Sequence, residues 1–155
     1  MPTLHAATPV ERQASFDRFY ADLAPVLIDF IDALGIEPAP DVLRQAGAYL
    51  PYVERALKDM EIADEDDRSW LVARMMYFIG EYFAQQYGGH WYVNETAGSP
   101  FFGRCMVGKF VRIADSGFVV DPYAIALDYV NAPCPRPLSI LVAQVESGIS
   151  GPALH

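Results

Sequence analysis

Apolar residues between Phe16 and Leu34 (Phe16, Tyr20, Leu23, Leu27, Phe30, Leu34) recur at intervals of 4, 3, 4, 3 and 4. That rhythm keeps one face of a helix turned inward. Thr8-Pro9-Val10-Glu11 supplies its start: a threonine that can cap, a proline at the first helical position and a glutamate placed to complete a capping box. Pro25 should kink this helix or split it, and Gly35 should end it. After the stiff linker Ile36–Pro40, a second stripe (Leu43, Ala46, Leu50, Val53, Leu57, Met60) predicts a helix from about Pro40 to Met60, with a kink at Pro51. The third segment, Ser69–Asn94, has a different pattern. Trp70, Leu71, Val72, Met75, Met76, Phe78, Ile79, Tyr82, Phe83 and Tyr87 leave few polar positions, so this helix should be covered on most sides and central to the fold. Gly88-Gly89 offers a left-handed stop before the strand-like His90–Asn94.

Beyond Asn94 the period changes. Trp91–Asn94 reads as one strand, Asn94–Pro100 as a loop and Arg104–Ile113 as a second strand. In that second strand Cys105, Val107, Lys109 and Val111 would take one face, and Met106, Phe110 and Arg112 the other. Ala114–Gly117 reads as a turn and Phe118–Val120 as a third strand, close enough to complete an antiparallel meander. Asp121-Pro122 repeats the cap-plus-proline signal ahead of a helix with Tyr123, Ile125, Ala126, Tyr129 and Val130 inward. The proline-rich Asn131–Pro137 crosses to a last helix carrying Leu138, Leu141, Val142 and Val145. The expected fold is therefore α+β: N-terminal helices and a central apolar helix packed on a small three-stranded antiparallel sheet, closed by two C-terminal helices. No interior linker divides residues 1–155, which read as a single domain with 1–8 and 148–155 loose.

Charge adds a functional constraint. The net charge is −9, and it is uneven: residues 1–68 hold 14 acids against 6 bases, while residues 69–155 hold 6 against 5. Phosphate recognition needs a basic surface, so nucleic-acid binding is not expected. An acidic helical face instead attracts a basic protein and speeds the encounter. The acids concentrate in Glu61–Asp67, five in seven residues. Some of these suit the N-terminus of the following helix, and the surplus makes Asp64, Glu65, Asp66 and Asp67 candidate partner-binding residues. Their spacing lacks the glycine and terminal glutamate of a calcium loop. In Gly98-Ser99-Pro100-Phe101-Phe102-Gly103 two adjacent phenylalanines cannot both face inward along a strand, which makes Phe101 and Phe102 candidate interface anchors.

Signals for catalysis are sparse. His90 is the one histidine away from the termini, since His5 and His155 lie near the chain ends. A Cys-His-Asp site would need Cys105, His90 and Asp121 brought within hydrogen-bond reach, and nothing in their spacing demands it. Glu81, among Phe78, Tyr82 and Phe83, would reach solvent or pair with an arginine such as Arg74 or Arg104. A pocket near His90, Cys105 and Glu81 is the alternative reading, as a small enzyme or ligand-binding protein. Cys105 and Cys134 match no metal spacing and read as reduced cytosolic thiols. No cofactor or metal is expected. No apolar run approaches the roughly 18 residues of a membrane span, and Met1–His5 has no signal-peptide pattern. A cytoplasmic protein follows from these expectations.

The stretch Gly80–Val145 resembles a group of uncharacterised small bacterial domains that look like immunity proteins of toxin systems. The likeness lies in Gly80-Glu81-Tyr82 ending a helix, Gly88-Gly89-His90-Trp91-Tyr92-Val93 opening a strand, a short meander, and Val120-Asp121-Pro122-Tyr123 before a helix. It covers under half the chain, and no active-site residue carries over. It implies a non-enzymatic module that neutralises a basic toxin or effector, with the acids around Asp64–Asp67 steering the partner and the aromatic groups near Phe101 anchoring it.

Overall fold

The computed structural model describes residues 7–114 and 117–149. The two termini, with His5 and His155, and the residues Asp115 and Ser116 of the expected turn lie outside the described residues. The elements, in order, are α1 (Pro9–Ala33), a short 3₁₀ turn (Ala39–Asp41), α2 (Val42–Leu57), α3 (Glu65–Tyr87), β1 (His90–Val93), β2 (Cys105–Gly108), α4 (Pro122–Asn131) and α5 (Leu138–Glu146). The class is α+β, five helices with a two-stranded antiparallel sheet. Among the described residues no helix is long and apolar enough to cross a membrane.

α1 begins where the sequence indicates. The Thr8 hydroxyl oxygen accepts the Glu11 N–H at 3.1 Å and the hydroxyl donates to the Glu11 carboxylate, closing a capping box. Pro25 is accommodated inside one continuous helix. In α2 the break lies at Gln45 (φ −133°, ψ 40°) and not at Pro51. Its cause is a side chain from another helix. The Gln85 carboxamide of α3 accepts the Ala46 N–H at 2.8 Å and donates to the Val42 carbonyl at 3.0 Å, taking the place of the helical bond these two groups would otherwise share.

α3 packs against α1, α2, α4 and both strands. Ten of its 23 residues are buried, among them Leu71, Met75, Phe78, Ile79 and Phe83, while Trp70, expected inside, is 38% exposed beneath the Arg74 guanidinium. Gly88 ends the helix in the left-handed region (φ 67°). The carbonyls at this end then find donors downstream: Arg112 N–H reaches Tyr87 O at 3.0 Å, Val111 N–H reaches Gly88 O at 3.2 Å, and the Arg112 guanidinium reaches Gln85 O at 2.8 Å.

That last set of bonds explains why the sheet is smaller than expected. The second strand runs only over Cys105–Gly108, because Lys109 at φ 54° turns the chain and the next peptide groups bond to the end of α3. All four residues of β2 are buried, so the inward/outward alternation expected across Arg104–Ile113 does not develop. The third strand is reduced to a single bridge, Val107 with Val120, through paired bonds of 3.0 and 2.8 Å. Asp121 caps α4 at the very next position, accepting the Ala124 N–H at 3.3 Å, so the extended segment has no room to lengthen.

One hydrophobic cluster joins these elements, from Leu27 and Ile31 through Val53, Met75, Phe78 and Phe83 to Val107, Tyr129 and Val142. Arg136 closes the end of α2. This buried guanidinium donates to the carbonyls of Leu57 (3.1 Å) and Met60 (2.7 Å), and the backbone N–H of Arg136 donates to Lys58 O (2.8 Å). A cation at a helix C-terminus meets both the free carbonyls and the helix dipole.

Candidate functional site

Two concave regions flank α1. The first is a groove of about 440 Å³ between α1, α3 and α4. Phe19, Val72, Met76, Tyr77 and Leu127 contribute its apolar surface, and Asp22, Glu65 and Arg68 its charges. The acids at the start of α3 sit at its margin. Asp64 is the N-cap, accepting the Asp67 N–H at 2.9 Å, and Asp67 accepts the Ala63 N–H at 3.3 Å. Two of the four candidate acids therefore serve the helix end. Glu65 makes a loose 3.8 Å pair with Arg68, which also donates to the Asn131 side chain, and Asp66 is exposed.

Phe101 and Phe102 are both half-buried in the loop that joins β1 to β2. The loop is closed by Asn94 N–H to Arg104 O (2.9 Å) and Gly103 N–H to Asn94 O (2.7 Å). It is fastened to α1 by Arg12, a residue that no sequence pattern singles out. Arg12 is 5% exposed, pairs with Glu95 at 2.7 Å, donates to the Ala7 carbonyl and lies 4.6 Å over the Phe102 ring. Arg12 and Asp22 are ten residues apart on one helix, about 15 Å at 1.5 Å per residue. The candidate aromatics and the candidate acids therefore occupy opposite ends of a long stretch of α1.

The second region is a cleft of about 390 Å³ lined by Phe16, Tyr20, Glu81, Ala84, Gln85, Gly89, His90 and Trp91. It brings together Glu81 and His90 and leaves out Cys105. In the antiparallel register His90 faces Gly108 and Val93 faces Cys105, so three residues, about 10 Å, separate the imidazole from the thiol along the ladder. Cys105 is 3% exposed, and its thiol is pushed up to about 12, first by burial and then by the neighbouring Asp121 carboxylate. A thiol so held is protonated at neutral pH and inert as a nucleophile. Asp121 is occupied as the α4 cap and by Arg104 at 3.1 Å. The three residues of a Cys-His-Asp site are thus present but not assembled.

Glu81 pairs with neither arginine anticipated for it. Arg74 stacks on Trp70, and Arg104 takes Asp121. Glu81 instead accepts the Trp91 indole N–H at 2.9 Å and the Gln85 amide at 3.2 Å. Among the described residues no group of three or more His, Cys, Asp or Glu is placed to hold a metal ion. Comparison with family models, curated proteins and solved structures gives no match to this chain.

Proposed function

We propose that the chain is a non-enzymatic module that binds a basic partner protein, of the immunity type that neutralises a toxin or effector in the cytoplasm. The observation that carries this reading is the α1–α3–α4 groove, which combines an apolar floor with Asp22 and Glu65 on its walls. Exposed apolar surface bordered by charge is typical of docking sites. A segment with lysines or arginines on one side and aliphatic groups on the other matches both features. The acid excess of residues 1–68 supports long-range attraction of such a segment, with Glu65 and Asp66 better placed to steer than Asp64 and Asp67, whose carboxylates already serve the helix end. Phe101 and Phe102 extend the reading to a second contact, as anchors toward the start of α1.

The test uses a synthetic helical peptide with lysines on one face and leucines on the other, titrated into isotopically labelled protein. The expected result is a saturable set of amide shifts at Phe19, Asp22, Val72, Met76 and Leu127. The association rate should fall as salt rises, and a variant carrying Asp22→Asn, Glu65→Gln and Asp66→Asn should associate more slowly and with less salt dependence. Faster dissociation from Phe101→Ala or Phe102→Ala would bring the loop into the interface. Shifts outside the groove, or equal binding by a peptide with glutamates in place of lysines, would sink the proposal.

A further inference from the structure

Glu81 presents an unusual combination. It is half-buried, and among the described residues no lysine, arginine or histidine forms an ion pair with it. Its two hydrogen-bond donors, the Trp91 indole and the Gln85 amide, are neutral, so they orient the carboxylate without cancelling its charge. Gln85 is itself fixed by the Val42 carbonyl and the Ala46 N–H, which leaves Glu81 little freedom to swing away. Three aromatic rings line the same cleft. Phe16 and Tyr20 stack with centroids 5.9 Å apart and planes 15° apart, and Trp91, 8% exposed, is the third. Tyr20 belongs to the apolar stripe of α1 yet is 53% exposed, so its ring faces the cleft and solvent rather than the core.

We infer that this cleft binds an organic ammonium group, with Glu81 as counter-ion and the rings of Tyr20, Phe16 and Trp91 in its lining. An ammonium ion is attracted by the negative faces of aromatic rings, and most strongly by indole. It also supplies the positive charge that Glu81 lacks. An anion would be repelled by Glu81, and a neutral ligand would leave the carboxylate desolvated without compensation. The volume, about 390 Å³, lies within the range of roughly 300–1,000 Å³ of small-molecule sites. The group can arrive on a free amine or on a lysine side chain. This site is separate from the α1–α3–α4 groove and does not depend on the function proposed for it.

The experiment follows Trp91 emission in a Trp70→Phe background, which leaves one indole in the chain. At constant ionic strength the protein is titrated with choline, with N-acetyl-lysine methylamide, and with 3,3-dimethylbutanol, a neutral analogue of choline. The expected result is a saturable change with the cations and at least about tenfold weaker binding of the neutral analogue. Glu81→Gln keeps an acceptor for the indole and should also weaken the cations about tenfold with an unchanged melting temperature. Tyr20→Ala should weaken them too, again without loss of fold. A preference for choline identifies a free quaternary amine as the natural source, and a preference for the lysine derivative identifies a lysine side chain; both uphold the cleft. Absence of a saturable response, equal binding of the neutral analogue, or indifference to Glu81→Gln would overturn it.

Discussion

Gly80 shows how much one missing methyl can position. A Cβ at this residue would stand 2.0 and 2.1 Å from the Cζ2 and Cη2 atoms of Trp91. The close crossing expected of a glycine inside an apolar helix is therefore made by the indole of β1. Two effects of Gly80→Ala oppose each other. Helix propensity favours alanine by about 1 kcal/mol, while forcing Trp91 aside costs about 1–3 kcal/mol and breaks its bond to Glu81. The clash should dominate, because Trp91 is also confined by Phe19 and Tyr77, with centroids at 5.3 and 6.4 Å. Denaturant unfolding should show net destabilisation together with altered Trp91 emission. A gain in stability near the propensity value would mean that the indole moves away freely. The two thiols give a second test at this scale. Cys134 is exposed and Cys105 is buried, so a thiol reagent should label Cys134 alone in the native protein and both after denaturation. Rapid double labelling of the native protein would contradict the inert Cys105 described above.

At the scale of elements, caps were legible and interruptions were not. Thr8, Asp64 and Asp121 each cap the helix their sequence context indicates, because a cap is a local interaction written within four residues. The strand after Arg104 is shorter than its pattern implies, since the apolar alternation continues to Ile113 while the backbone leaves the sheet at Lys109. The competing partner, the end of α3, lies more than twenty residues upstream and leaves no local sign. For the same reason the sequence points to Pro51 for the kink of α2, whereas its cause is Gln85 of another helix. This yields a prediction. Gln85→Glu keeps an acceptor for the Ala46 N–H but cannot donate to the Val42 carbonyl, and it sets a second carboxylate beside Glu81, now a 3.2 Å hydrogen-bond partner. The variant should lose about 1–3 kcal/mol at neutral pH, and recover part of it when acidified. Urea unfolding at both pH values measures this. Full stability at neutral pH would show that the helix can close its own ladder at Gln45.

For the molecule as a whole, the acid-rich half was legible as composition. What was not legible was which charges sit together, because α1 and α3 meet through contacts such as Phe19 with Tyr77, 58 residues apart. The same long-range packing sets how the fold should respond to alkali. Burial pushes the Cys105 thiol up to about 12 from 9.0 and the Tyr77 phenol up to about 12 from 10.0. Tyr82, Tyr87 and Tyr129 are raised as well, chiefly by burial, and in the first two also by hydrogen bonds to the Glu146 carboxylate, at 3.0 and 2.5 Å. In every case the folded state holds its proton more tightly than the unfolded chain does. The stability these groups contribute is therefore complete below pH 9, and it is lost as pH rises toward 12, where the unfolded chain releases protons that the native state retains. Each group removes up to about 1.4 kcal/mol per pH unit in that interval. Acting together they can exhaust the roughly 5–15 kcal/mol of an ordinary domain before any of the five ionises in place. Urea midpoints should be flat from neutral pH to about 9 and fall steeply beyond it, and in a variant with the exposed Tyr20 and Tyr52 replaced by Phe the main rise of tyrosinate absorbance should coincide with the loss of helical circular dichroism. Complete tyrosinate formation in that variant with the helical signal intact would show that these phenols reach water in the native fold, contrary to their burial.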